Sequence, residues 1–306
     1  MHGAKEQCRN AIPEGRSLAP FGPKDPRRKS YLRGRLLNHS VGSSRGRTDA
    51  LSCGAADYDG ADWAWEFLRR NQDYIADWRS SVPRHLPCIT LKDGTRLLRL
   101  RQRFPRAEKW GLYAFADPRR CALDATVVWH ANALKRVVRL CARMPNEHSG
   151  AMTRALADFN GDRLAVIDTE GVQHVSIKGM GVRVNVEIKG LSVLTAPFAA
   201  IFELHDLDDL SGQTEVLKRL HRFTDTNVAA LQRSTFSGDE RLRQALIALD
   251  ESLNGKTYRQ IAITLFGDKK VAEEWLGPSQ FLKDRTRRLV AKGTELMKGG
   301  YRDLLS

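Results

Sequence analysis

Between residues 278 and 302 seven basic side chains (Lys283, Arg285, Arg287, Arg288, Lys292, Lys298 and Arg302) face only Asp284 and Glu295, a local charge of +5. A guanidinium can bond the edge of guanine bidentately, and lysine or arginine neutralises phosphate, so the cluster has the chemistry of nucleic-acid contact. Its spacing is helical. With Leu282 at zero on a wheel of about 100 degrees per residue, Thr286, Leu289, Gly293, Leu296 and Met297 fall within about 60 degrees of it. Arg285, Arg288 and Lys292 lie on one flank, Lys283 and Arg287 on the other. The pattern predicts a helix over 279–297, entered through Gly277-Pro278, with an apolar face that docks and basic flanks that reach outward. A solvated amphipathic helix with no partner would show the same wheel.

Two preceding segments must position it. Ser237-Gly238-Asp239-Glu240 has the Ser-x-x-Glu spacing of a capping box, after which Leu242, Ala245, Leu246, Leu249 and Leu253 line one face until Asn254-Gly255 ends the helix. Thr257 and Gln260 form a second box, opening a short helix with Tyr258, Ile261, Ala262 and Leu265 as its buried stripe and Gly267 as its stop. The small Ala262 allows another helix to come close, as the positioning helix of a helix-turn-helix requires. The connection is longer than such a motif normally has, since Asp268 to Gly277 intervene. A short helical piece carrying Trp275 into the core would keep the geometry usable.

Catalytic motifs are missing. A tyrosine recombinase is the enzyme class closest to a basic chain with Tyr301 near its end, but none of the eight histidines begins a His-x-x-Arg. The phosphate loop Gly-x-x-x-x-Gly-Lys-Ser/Thr, His-Glu-x-x-His and Gly-x-Ser-x-Gly are absent too. Asp206, Asp208 and Asp209 could hold a metal but fit a plain acidic loop better. The expectation is a non-enzymatic protein with no cofactor and no metal. Cys8, Cys53, Cys88, Cys121 and Cys141 are scattered without a Cys-x-x-Cys pair, which fits a reducing cytoplasm better than a disulfide framework or zinc site.

The remaining sequence reads as scaffold. Residues 1–54 are rich in Gly, Pro, Ser and Arg and are expected to be a disordered basic leader. Residues 55–120 open with an aromatic-rich helix, in which Trp63, Phe67 and Arg70 share a face beside Ala64 and Leu68, and Tyr74 and Trp78 continue the pattern. Such aromatics could stack on bases, yet at helical spacing they belong to a core. Arg96, Arg99, Arg101, Arg103, Arg106 and Lys109 alternate with Leu98 and Leu100, as on a strand with one charged face. Residues 121–210 are β-rich, with strand patterns at 126–129, 163–167, 172–177, 182–188 and 198–204 that predict an antiparallel sheet. Residues 211–306 are helical, beginning with Val216, Leu217, Leu220 and Phe223 at core spacing in a helix running to about residue 233. The fold class is therefore α+β: an N-terminal helical or mixed domain, a β-rich middle region and a C-terminal all-α variant helix-turn-helix.

The chain of 306 residues carries 50 Lys and Arg against 36 Asp and Glu, a net charge of +14 that favours a polyanion or an anionic surface as partner. The charge is uneven: +7 over residues 1–54, +6 over 55–150, −2 over 151–238 and +3 over 239–306. The middle region is thus not where a polyanion binds. No apolar run approaches the roughly 18 residues of a spanning helix, and the N-terminus lacks the apolar core of a secretory signal. No membrane partner is expected, and the expected compartment is the cytoplasm, at the nucleoid.

Several stretches are familiar together: Thr257-Tyr258-Arg259-Gln260-Ile261-Ala262, Phe266-Gly267, Lys283-Asp284-Arg285-Thr286-Arg287-Arg288-Leu289 and Gly299-Gly300-Tyr301-Arg302-Asp303-Leu304-Leu305. They resemble a proteobacterial variant helix-turn-helix family, and Trp63-Ala64-Trp65-Glu66-Phe67-Leu68-Arg69-Arg70-Asn71 resembles its usual companion domain. Joined in one chain over about residues 57–306, the two resemble the activators of excision and conjugative transfer of integrative and conjugative elements. The resemblance implies double-stranded promoter DNA, RNA polymerase and a small anti-activator of the same domain type as partners. It also implies DNA contacts from Arg285, Arg287, Arg288 and Lys292, with Thr257 and Tyr258 near the backbone; Lys283, on the flank it shares with Arg287, is a further candidate contact. The rival reading is a protein-interaction module that binds a regulator, as an anti-activator does, although such a module has no need of some 180 further folded residues.

Overall fold

The computed structural model describes residues 58–84, 86–145, 153–179, 181–205, 207–225, 239–275, 277 and 280–305. The basic leader over 1–54 and the capping residue Ser237 lie outside them. Among the described residues no helix is long and apolar enough to cross a membrane.

The first helix, α1 (Gly60–Leu68), starts at a reciprocal cap: Asp62 N donates to Asp59 Oδ1 at 2.9 Å, and Asp59 N donates to Asp62 Oδ2 at 3.0 Å. Every residue from Ala61 to Leu68 is buried, so this helix lies inside the core and has no wet face. Asn71 caps α2 (Gln72–Arg79), which adds Tyr74 and Trp78, and the short α3 (Pro105–Glu108) adds Ala107. The aromatics pack edge to face, Trp65 on Tyr74 with ring centres 5.7 Å apart and Tyr58 on Trp63 at 5.1 Å. They are core, and no platform for bases is left exposed on α1.

An eight-stranded sheet stands beside this helical core. Its strands are β1 (Cys88–Thr90), β2 (Arg96–Arg99), β3 (Val138–Arg143), β4 (Thr153–Arg154), β5 (Asp162–Ile167), β6 (Gln173–Gly179), β7 (Val182–Gly190) and β8 (Phe198–Glu203). Their order is β1-β2-β5-β6-β7-β3-β8-β4. The forecast strands β5, β6 and β7 pair antiparallel as expected, but the sheet as a whole is mixed, because β2 runs parallel to β5 and β3 parallel to β7. A parallel neighbour needs a long crossover, and the intervening chain supplies one in both cases. The pattern at 126–129 does not become a strand: Trp129 makes only an isolated bridge to Leu112, and Val127 and Trp129 join the helical core instead. Strand β3 had no forecast.

Alternation sorts the two faces of the sheet. Val138, Leu140, Ala165, Val175, Ile177, Val184, Val186 and Ile188 meet Val216, Leu220 and Phe223 of the segment around α4 (Leu210–Arg222), as the period of two requires. On the other face Leu98, Leu164 and Val166 pack with Leu100 and Tyr113. Arg96, opposite Leu164 in the register, is half-buried at the edge of this core, and three basic side chains further along are held by acids: Arg103 by Glu108, and Arg106 and Lys109 by Asp77. The expected end of α4, beyond residue 225, lies outside the described residues.

Two buried charge networks tie the parts together. Glu66 accepts from Arg69 Nε at 2.6 Å and Arg70 Nη1 at 2.8 Å; burial opposes its charge, but the two guanidiniums win and hold it below the usual carboxylate range. At the start of α1, Arg183 of β7 donates to Asp59 at 2.8 Å and Asp62 at 2.7 Å, and Lys178 of β6 pairs with Asp62 at 2.7 Å. Burial penalises both carboxylates. Asp59 nonetheless stays below its ordinary value because Arg183 and Lys178 flank it.

Candidate nucleic-acid interface

Helix α5 (Asp239–Leu253) carries Leu242, Ala245, Leu246 and Leu249 into the helical core, and Gly255 follows its end at φ 77°. Leu253, expected on that face, is exposed because it lies at the open end of the last turn. Helix α6 (Tyr258–Phe266) is capped as its spacing demanded: Gln260 N donates to Thr257 Oγ1 at 3.4 Å, and Thr257 N donates to Gln260 Oε1 at 2.9 Å. Ile261 and Ala262 are buried and Leu265 is half-buried, but Tyr258 is 47% exposed and leaves the stripe to which its spacing assigned it. Gly267, at φ 88°, ends α6 in a conformation that side chains resist.

The expanded turn is a helix of its own, α7 (Asp268–Glu274). It buries Val271, and the half-buried Trp275 that follows packs with Ala262, Val271 and Leu282, so the extra residues form a wedge between α6 and the helix that carries the basic cluster. That helix, α8 (Phe281–Met297), begins two residues later than its pattern suggested, after Gln280 in the left-handed region at φ 46°.

Helix α8 is held from three directions. Val290 and Leu289 meet Ile261 of α6 and Ala248 of α5, Leu282 meets Ala262 and Val271, and Leu296 and Met297 enter the core built around α1. Against α5 the fit is closest at Gly293, where an added Cβ would stand 2.6 Å from the carbonyl oxygen of Ala245 and 2.9 Å from Cβ of Leu249. The remaining side faces outward. Asp284, Arg287, Arg288, Ala291, Lys292, Glu295 and Lys298 are all exposed.

The structure regroups the sequence-derived candidates. Arg287 joins Arg288 and Lys292 on one continuous outward face, although the wheel set them on opposite flanks. Lys283 and Arg285 sit at its margins, half-buried: the Lys283 ammonium lies 5.8 Å from the Trp275 ring centre, and the Arg285 guanidinium lies 4.8 Å from that of Phe266 and donates to Gln244 Oε1 at 3.2 Å. Thr257 and Tyr258 are exposed at the first turn of α6, with Arg259 beside them. Arg259 and Lys298 were not singled out as contacts; for Arg259 the available signal was its place next to Tyr258 at a helix start.

The outward face is electrostatically ready for an anion. Arg287 reaches Asp284 at 3.7 Å and Lys292 reaches Glu295 at 3.0 Å, exposed pairs of the kind that contribute about 0–1 kcal/mol and release readily. The side chains of Arg288 and Lys298 have no hydrogen bond or ion pair among the described residues. Four cations against two acids leave the face positive. Tyr301 has a different setting: fully buried, it donates to the Trp110 carbonyl at 2.9 Å, and burial pushes its hydroxyl up to about 12. No group of three or more metal-binding side chains occurs among the described residues.

Residues 206–306 match a family model described as a T6SS transcription factor DNA-binding domain, and residues 46–113 match one described as a proteobacterial transcriptional regulator-like domain. No curated protein matches the chain. Each model spans less than half of the chain, and strands β3–β8 lie between the two matches. The matches identify domains of a proteobacterial DNA-binding transcription regulator and point to a non-enzymatic protein; neither describes the narrower mobile-element activators that the residues resembled.

Proposed function

We propose that this chain is a sequence-specific regulator of transcription that places the outward face of α8 in the major groove of promoter DNA. Arg287, Arg288 and Lys292 make the principal contacts in this reading. Lys283 and Arg285 border them, and Thr257 and Tyr258 meet the backbone from the first turn of α6. The observation that carries it is the exposure of these three cations on a helix whose opposite side is locked by Gly293, Val290 and Leu282. A recognition element needs such a division, since a rigid seat fixes the register and free guanidiniums read base edges.

Its finer target is the set of genes for excision and conjugative transfer, which the residue resemblance favours, with RNA polymerase and a small anti-activator as protein partners in the cytoplasm. Sequencing the DNA fragments that co-purify with the chain tests this directly: fragments upstream of such genes support it, and fragments without a shared sequence reject specific regulation. A mobility shift on an enriched fragment, lost in the Arg287→Ala, Arg288→Ala, Lys292→Ala variant, tests the contacts. Undiminished binding by that variant would move the interface elsewhere.

A further inference from the structure

A cleft of about 410 Å³ lies between the start of α1, strand β7, helix α4 and the last residues of the chain. Its size falls in the range of small-molecule sites, about 300–1,000 Å³. Four arginines line it, namely Arg136, Arg183, Arg219 and Arg222, while Val182, Val216 and Leu304 supply apolar wall. The arginines are unequally satisfied. Arg183 is matched by Asp59 and Asp62 at 2.8 and 2.7 Å, and Arg219 by Glu215 at 3.3 Å. Arg136 has only Asp209, at 3.9 Å, and Arg222 has no ion pair or side-chain hydrogen bond among the described residues. Two arginines without a close partner thus border one concave, partly apolar space, with the Arg136 guanidinium at its edge beside Asp209, and low-dielectric walls concentrate a positive field there.

We infer that this cleft binds a small organic anion with an apolar body and a carboxylate, sulfonate or phosphate head, the head held by Arg136 and Arg222. A guanidinium pair offers an oxyanion charge-assisted, directional bonds, and the valine and leucine wall accepts the remainder of the molecule. The position gives the site a consequence. Asp59 to Ala61 and Leu304 belong to the helical side that seats α8, whereas Val182 belongs to β7 and Arg222 to the helix covering the sheet, and Arg136 lies two residues before β3. An occupant would touch both. Control of DNA affinity by this anion rests on the regulator reading, but its binding does not.

The test titrates the full-length chain with 8-anilinonaphthalene-1-sulfonate and, in parallel, with N-phenyl-1-naphthylamine, which has the same rings and no charge. Saturable binding of the sulfonate at one site is expected, weakened about tenfold or more by Arg136→Gln with Arg222→Gln, while the neutral probe is unaffected. Arg222→Lys keeps the charge but not the planar fork and is expected to lose less sulfonate affinity than the double variant. Both arginines are exposed, so thermal unfolding should not move. Equal sulfonate binding by parent and double variant, or equal losses for the two probes, would overturn the inference. Because no DNA enters the measurement, failure of the regulator reading leaves its result intact.

Discussion

Arg70 on α1 and Asp250 on α5 meet in a two-pronged pair, Nε 2.5 Å from Oδ1 and Nη2 2.8 Å from Oδ2, across 180 residues of sequence. Arg70 falls in the regulator-like match and Asp250 in the DNA-binding match, so the two recognised segments share one core, with Trp63 and Phe67 packed among Leu242, Leu246 and Leu249. Arg70 is fully buried, and loss of Asp250 leaves its Nε and Nη2 donors unmatched, with Glu66, which Arg69 shares, as its remaining carboxylate among the described residues. Asp250→Ala should therefore lower stability by about 3–5 kcal/mol, read as a shift of the urea midpoint. A loss below about 1 kcal/mol would show that the pair is dispensable.

The acid limb of stability should depend on Asp77. Lys109 binds its carboxylate at 2.6 Å, Trp110 Nε1 and Arg106 Nη2 each donate at 2.9 Å, and the pKa falls from 3.8 to about 2, with the Lys109 bond the largest cause. A carboxyl with a folded pKa below its unfolded one adds stability that is complete above the unfolded value and disappears as pH falls through the folded one. The parent should thus lose stability more steeply than Asp77→Asn between about pH 4 and pH 2, and the two should converge at the lower end. A constant difference between their unfolding midpoints from pH 7 to pH 2 would remove Asp77 from the account.

Gly293 sets the distance between α8 and α5. Gly293→Ala places a methyl against the Ala245 carbonyl, which is backbone and cannot swing aside, so we expect a loss of about 1–3 kcal/mol despite the better helix propensity of alanine. A more stable alanine variant would mean that the helices separate freely.

Much of this arrangement was legible because local rules and burial agreed. The Thr257–Gln260 cap, the stop at Gly255, the placement of Ala262 and Gly293 inside and the wedge around Trp275 each follow from short-range chemistry. Long-range pairing was not legible. Nothing local tells β2 to lie parallel to β5, or Val127 and Trp129 to abandon a strand pattern for the helical core. The site suffered in the same way: a wheel separates Arg287 from Arg288 and Lys292, but only the packing of α5, α6 and α7 decides which arc stays uncovered. It also half-covers Arg285 through Phe266 and Gln244, partners drawn from two other helices.

Salt dependence separates the cations by rank. Each phosphate neutralised contributes about 0.9 to the slope of log affinity against log salt, so alanine at Arg287, Arg288 and Lys292 together should flatten that slope by about 2 to 3 if all three meet phosphate. A residue that reads a base instead weakens the preferred fragment more than a scrambled one and leaves the slope nearly unchanged. Arg285→Ala, with its guanidinium already engaged inside the protein, should alter the slope less than Arg288→Ala. The reverse order, measured by fluorescence anisotropy over a range of salt, would return Arg285 to the front of the interface.

Tyr301 provides the sharpest division between a regulator and a strand-transferring enzyme. A tyrosine nucleophile must present its oxygen to a phosphodiester, whereas this hydroxyl is buried, donates to the Trp110 carbonyl and has its deprotonation made harder by its surroundings. Tyr301→Phe keeps the ring against Trp129 and removes one buried hydrogen bond, so stability should fall by about 1–2 kcal/mol with DNA affinity unchanged. Incubating the parent with a labelled duplex, denaturing and looking for a covalent protein–DNA adduct completes the comparison. No adduct is expected from either protein, and an adduct formed by the parent but not by Tyr301→Phe would establish catalysis in place of simple binding.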